Sequence, residues 1–154
     1  MRIVIWFFIC AQFLCCGKEN TFPSKIIEYT IVKKISGSEA QKIVNQIHLQ
    51  PVAETESEIG FYENGPDKAF IYITYYKSEE AAQVNLLTMI NKISPDNSVF
   101  IDGGKLAIAD IVIYRYFGMG QTHYTFRIRK IIIWISVDTM IARDFLESYL
   151  NKLQ

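Results

Sequence analysis

The acid, base and charge from which a reaction or ligand site could be built sit in Asp110, His123, Arg115 and Arg127. Asp110 falls within the stretch Lys105 to Tyr116, which reads as one long strand, so Leu106, Ile108, Val112, Tyr114 and Tyr116 share its face. A lone carboxylate among apolar neighbours must acquire a partner or a proton. Arg127 or Arg129 on an adjoining strand would supply the charge. If Asp110 converges with His123 and an arginine in a cleft, the set has the acid–base chemistry of a small hydrolase; otherwise Asp110 is a structural ion pair or an edge residue. A second candidate is an aromatic sheet face built from Tyr72, Thr74 and Tyr76 on one strand and Tyr114 and Tyr116 on another, suited to a sugar, a peptide or a flat lipid-like group. Core packing under helices would use the same residues.

Metal chemistry finds little support. His48 and His123 are the only histidines and stand far apart. Met119 with His123 offers a soft donor pair for a metal such as copper, but two ligands on a turn make a weak site. His48 reads as a helix C-terminal residue beside free carbonyls. Glu54, Glu56 and Glu58 alternate along one expected strand, with carboxylates about 7 Å apart, a flat row unlike the curved multidentate loop that calcium takes. Such a row reads as a solvated strand face or as one that meets a basic partner. The sequence contains no Gly-x-Ser-x-Gly elbow, no Ser-x-x-Lys pair, no His-Glu-x-x-His and no phosphate-cradling glycine loop. No catalytic residue, cofactor or metal is therefore assigned.

The whole chain has 154 residues, 50% of them hydrophobic, with 16 basic and 16 acidic side chains. That suits one compact domain, and the zero net charge argues against a dedicated nucleic-acid binder, which needs a basic surplus to displace counterions. At the N-terminus, Met1 and Arg2 precede the apolar run from Ile3 to Leu14, which ends in Cys15, Cys16 and Gly17. A positive start, a short apolar stretch and small residues at its end form a signal peptide, and the run is too short to span a bilayer, which takes about 20 apolar residues.

The sequence Phe13-Leu14-Cys15-Cys16-Gly17 resembles the lipobox of bacterial lipoproteins, in which the signal is cut before a cysteine that carries a diacylglycerol. The resemblance covers roughly the first 17 residues. It implies a lipid anchor at Cys16, with Cys15 as the alternative, and a position at the outer membrane or the periplasmic face. The other reading is an ordinary secretory signal cut after Gly17. All three cysteines, Cys10, Cys15 and Cys16, lie in this region, so the exported domain has no pair for a disulfide and relies on its core. The expected organisation is a signal peptide over 1–15, a lipidated tether over 16–24 and a single α+β domain over 25–154.

Within that domain, Lys25 to Ile35 reads as a strand. Ser38 and Gln41 make a capping-box pattern ahead of a helix to about Leu49, whose apolar side is Ala40, Ile43, Val44 and Ile47. Val52 to Tyr62 and Lys68 to Lys77 flank a turn at Glu63–Asp67 and predict a hairpin. Ser78 with Glu79 and Glu80 opens a second helix, which Ser94 and Pro95 end. Val99–Ile101 and Lys105–Tyr116 flank an expected turn at Asp102-Gly103-Gly104, and after the Gly118–Gly120 turn two strands, Thr122–Arg127 and Ile131–Val137, meet near Arg129. Asp138 and Thr139 are placed to cap a last helix with an apolar stripe of Met140, Ile141, Phe145, Leu146, Tyr149, Leu150 and Leu153.

The order implies an α+β fold, a mainly antiparallel sheet with three helices packed on it; a ferredoxin-like βαββαβ start followed by a C-terminal hairpin and helix is one arrangement, and a larger antiparallel sheet of another topology is the alternative. The expected function is that of a non-enzymatic envelope lipoprotein. Its partners are the membrane, through the anchor, and an envelope protein or small ligand met by the tyrosine face or the Gly118–His123 tip. Ligand contacts would come from Tyr72, Tyr76, Asp110, Tyr114, Tyr116, His123 and Arg127. The alternatives are a small hydrolase using Asp110 with His123, and a purely structural envelope protein.

Overall fold

The computed structural model describes residues 21–48, 56–93 and 99–153. The signal segment, with Cys10, Cys15 and Cys16, and Glu54 lie outside the described residues. Eleven elements follow in order: β1 (Lys25–Ile26), β2 (Tyr29–Ser36), α1 (Gly37–His48), β3 (Ser57–Asn64), β4 (Asp67–Tyr75), α2 (Glu79–Lys92), β5 (Ile101–Ile108), β6 (Ile111–Gly118), β7 (Gln121–Ile128), β8 (Ile131–Asp138) and α3 (Ala142–Leu153). The strands form one antiparallel sheet of eight in the order β1-β2-β3-β4-β8-β7-β6-β5. Strands that follow one another in sequence therefore pair, except where β4 joins β8. The α+β class with a predominantly antiparallel sheet and three helices is what the sequence predicts. The ferredoxin-like start is not confirmed, because the strands flanking α1 are direct antiparallel neighbours.

Two-residue turns set the register of this meander. Ile27, Gly65, Ala109, Met119 and Arg129 each open such a turn with φ between 46° and 59°, the positive φ that hairpin turns matching the strand twist require at their first central position. Only Gly65 adopts it without a side-chain penalty. Ile27 and Ala109 carry no turn preference of their own, and at each of them an expected strand is broken. Lys25–Ile35 splits into β1 and β2 at Ile27-Glu28. Lys105–Tyr116 splits at Ala109-Asp110, which carries Leu106 and Ile108 to the opposite sheet face from Tyr114 and Tyr116. Asp102-Gly103-Gly104 is not a turn but an irregularity inside β5, where the Arg115 guanidinium holds the Gly103 carbonyl at 2.6 and 3.0 Å.

One sheet face is sealed by α3. Phe145, Leu146, Tyr149 and Leu150 pack on Tyr62, Ile71, Ile73, Phe126, Ile133 and Ile135, and burying each such side chain contributes about 1.5–3 kcal/mol before entropy is counted. Asp138 accepts a hydrogen bond from the Met140 N–H at 2.7 Å and so tightens the turn into α3. Met140 itself is not part of the helix stripe, since it is 90% exposed.

The segment ahead of β1 belongs to this same packed face. Thr21, Phe22 and Pro23 are buried, so the expected tether loses its last four residues to the domain. The opposite face carries α1 over Ile35 and Ile59, and α2 over Ile132 and Tyr76. Ser78 caps α2 by accepting from the Ala81 N–H at 3.1 Å, a contact worth about 1 kcal/mol. No helix among the described residues is long and apolar enough to cross a membrane.

Candidate functional site

The sheet face that carries α1 and α2 has an aromatic strip between them, and the register explains its composition. Directly opposed residues share a face. One row across the sheet reads Tyr114, Thr125, Trp134, Tyr72, Ile59 and the next reads Tyr116, His123, Ser136, Phe70, Phe61. Helix α1 covers Ile59, with Phe61 and Tyr72 at its margin, and α2 has Tyr114 at its own margin. Phe70, Tyr72 and Trp134 between them stay half-buried. Phe61 meets Phe70 edge-on at 5.5 Å, Phe70 stacks with Tyr72 at 6.4 Å, and Trp134 lies parallel to Tyr116 at 6.1 Å. Phe100, just ahead of β5, folds over this end of the strip, 4.8 Å from His123 and 5.6 Å from Trp134.

A polar chain runs under these rings. The Gly118 carbonyl can only accept, so the His123 Nε2 that lies 3.1 Å from it carries the proton. Nδ1 is then the acceptor, receiving the Ser136 hydroxyl at 2.8 Å, while the Trp134 indole N–H is shared between Ser136 Oγ at 3.1 Å and Nδ1 at 3.2 Å. Burial lowers the His123 pKa, outweighing the Gly118 contact that raises it, so the ring is held neutral. Ser136 and His123 are thus a hydroxyl and a base within hydrogen-bond reach, which is the first requirement of a nucleophile pair. Both are nearly inaccessible, at 5% and 2% exposure.

The residues expected to form the site are dispersed. Asp110 sits exposed in the β5–β6 turn rather than among apolar neighbours. Tyr116 is the residue opposite His123, so Asp110 is separated from the imidazole by about 20 Å of strand. Arg115 opposes Tyr124 on the α3 face, away from His123. Arg127 spans to Glu79 and Gln83 of α2 at 3.2 and 3.1 Å and also meets the Arg129 carbonyl. The Asp110–His123 hydrolase arrangement therefore does not assemble. Nor is His123 at an exposed tip: the exposed residues of that hairpin are Met119 and Gly120, and both His123 nitrogens are occupied, so the Met119–His123 metal pair does not form. Among the described residues no group of three or more His, Cys, Asp and Glu is placed to hold a metal ion.

Of the tyrosines, Tyr76 is buried under α2, which pushes its hydroxyl up to about 12. Tyr116 is 3% exposed, while Tyr72 and Tyr114 line the strip at its two margins, Tyr114 with the Lys105 ammonium 5.0 Å from its ring. Burial raises the Tyr72 hydroxyl pKa as well. Of the carboxylate row, Glu54 lies outside the described residues, Glu56 precedes β3, and Glu58 is not on a solvated face but buried on the α3 face, paired with Lys34 at 3.0 Å and accepting the Tyr75 hydroxyl at 2.6 Å. Phe70, Phe100, Trp134 and Ser136 were not singled out from the sequence. Phe70 and Tyr72 alternate and could have been paired, but Trp134 sits in the unbroken apolar run Ile131–Ile135, where alternation is invisible. No protein-family model matches this chain, and no curated protein or solved structure matches it.

Proposed function

We propose that this protein is a non-enzymatic lipoprotein of the bacterial cell envelope, anchored through Cys16, whose domain binds a partner protein or a small ligand on the aromatic strip between α1 and α2. The observation that carries this reading is the half-buried set Phe70, Tyr72 and Trp134 on the sheet face opposite α3. Large aromatic side chains presented on a rigid sheet lose little conformational entropy on contact and offer both an apolar surface and a polar edge. The test is photo-crosslinking in an expressing bacterial host, with benzoyl-phenylalanine at Phe70 or Tyr72 and, as control, at Val84, which is 62% exposed on α2. A discrete adduct from the strip positions alone supports the reading; equal adducts from Val84, or none, contradict it.

One observation favours a second reading, the 2.8 Å contact of Ser136 with His123. A hydrolase would attack through the Ser136 oxygen as Nδ1 takes its proton. Against this stand the burial of both groups and the Trp134 N–H, which already occupies the Ser136 oxygen. Labelling by a fluorophosphonate that is lost in Ser136→Ala would establish the hydrolase; the binding reading expects no label at Ser136.

A further inference from the structure

The N-terminal segment enters the fold at one particular end of the sheet. Thr21 Oγ1 lies 3.4 Å from the hydroxyl of Tyr75, the last residue of β4, and the Thr21 carbonyl accepts from Tyr149 at 3.0 Å. Phe22 then lies over Gly60, the Pro23 carbonyl receives the Tyr62 hydroxyl at 3.0 Å, and the Ser24 carbonyl receives the Ile31 N–H at 3.1 Å. Successive residues are thus pinned to positions progressively farther along the sheet, ending at β1. The entry end carries the Ala109-Asp110 and Arg129-Lys130 turns and exposed Lys77. At the other end stand Val99, Ile101, Met119 and Met140, 68%, 69%, 70% and 90% exposed. Exposed apolar side chains gathered at one end are the kind of surface that makes contacts.

We propose that the anchored domain stands on its membrane with the Arg129-Lys130 end against the lipid headgroups and the apolar tip turned away from them. This rests on the reading of Cys16 as the lipid anchor. Between Cys16 and the pinned Thr21 lie only Gly17, Lys18, Glu19 and Asn20, so the Cα path from anchor to domain spans at most about 18 Å. Tyr75 opposes Ile131, and β8 then runs to Asp138 at the tip end, a distance of about 23 Å. A domain standing upright on its tip would hold the entry point about 23 Å above the membrane, farther than the leash can stretch. Anchoring at Cys15 instead lengthens the path to about 21 Å, which is still short. The Phe100 and His123 end of the aromatic strip lies toward the tip, so the strip meets a partner from the aqueous side and not a lipid drawn from the anchoring leaflet.

The experiment uses acylated full-length protein in phosphatidylcholine–phosphatidylglycerol vesicles, with bimane on a single introduced cysteine at Lys130→Cys, Met119→Cys or Met140→Cys and a headgroup-nitroxide lipid as quencher. Intact mass and vesicle flotation are read on the same samples. Quenching at residue 130 at least threefold stronger than at residues 119 and 140 is the expected result. Acylated, floating protein with equal or stronger quenching at either tip position overturns the orientation alone. Protein that carries no acyl mass and does not float overturns the anchor, and the orientation with it.

Discussion

The docking of the N-terminal segment can be tested at Gly60, where an added Cβ would lie 2.5 and 2.8 Å from two ring carbons of Phe22 and 3.0 Å from Tyr62. Phe22 cannot easily retreat, because it is 7% exposed and the Lys34 ammonium sits 4.7 Å from its ring centroid. Gly60→Ala therefore displaces the ring, and overpacking of this kind costs about 1–3 kcal/mol. Phe22→Ala alone loses the burial of a phenylalanine and leaves a void, about 3–5 kcal/mol at a fully packed site and nearer the lower figure here at the domain edge. The double variant carries the diagnostic sign. Gly60 has no positive φ, so once Phe22 is removed the two tightest contacts are gone, the 3.0 Å approach to Tyr62 remains, and alanine gains about 0.4–1 kcal/mol from the stiffer unfolded chain. Gly60→Ala is thus destabilising in the wild-type background and neutral or stabilising in Phe22→Ala, a coupling of about 2 kcal/mol. Urea unfolding of the four proteins, each starting at Lys18, measures it through the midpoint at constant m-value. Additive effects within about 0.5 kcal/mol would mean that Phe22 does not lie on Gly60, and the short-leash argument would lose its footing.

Other outcomes follow from the same contacts. His123 has a lowered pKa when folded and an ordinary one near 6.5 when unfolded, so the unfolded chain takes up its proton first. Stability should be level above that pH and fall as the pH drops through it toward the folded value, and urea midpoints at pH 8 and pH 5.5 should differ less in His123→Gln than in wild type. Thr125 Oγ1 is buried and has no hydrogen-bond partner in the structure, so Thr125→Val should be neutral or stabilise by about 1 kcal/mol in thermal unfolding; a loss of that size would reveal a partner. Glu58→Ala leaves the Tyr75 hydroxyl without its 2.6 Å acceptor and should cost about 1–3 kcal/mol by urea unfolding, whereas Glu58→Gln, which keeps an acceptor, should cost less.

The hairpins, the helices and their faces were legible where local chemistry and periodicity agree. Ser78 announces α2, the Asn64-Gly65-Pro66 sequence announces the β3–β4 turn, and the stripe from Phe145 to Leu150 announces the packed face of α3. The two missed turns share one cause: each places a residue with no turn preference, Ile27 or Ala109, at positive φ, a strain that only the flanking strand pairs make tolerable. Missing Ala109-Asp110 put Asp110 in a strand interior and gave it partners it does not have. The site depended on more distant information still. Trp134, His123 and Ser136 meet because β7 lies against β8, and Phe70 joins them because β4 skips across to β8. Sequence spacing carries no trace of that pairing. The buried Glu58 shows the same limit: period-two alternation places it on a face, but which face α3 covers is decided by the whole sheet.

The central claim is that this domain works at the end of a lipid anchor on Cys16. Intact mass and detergent partitioning of the full chain expressed in a bacterial host, comparing wild type with Cys16→Ser and Cys15→Ser, test it most directly. The account predicts acyl mass and detergent-phase partitioning that Cys16→Ser abolishes and Cys15→Ser leaves intact. An unacylated, aqueous-phase domain beginning near Lys18 in all three proteins would contradict it.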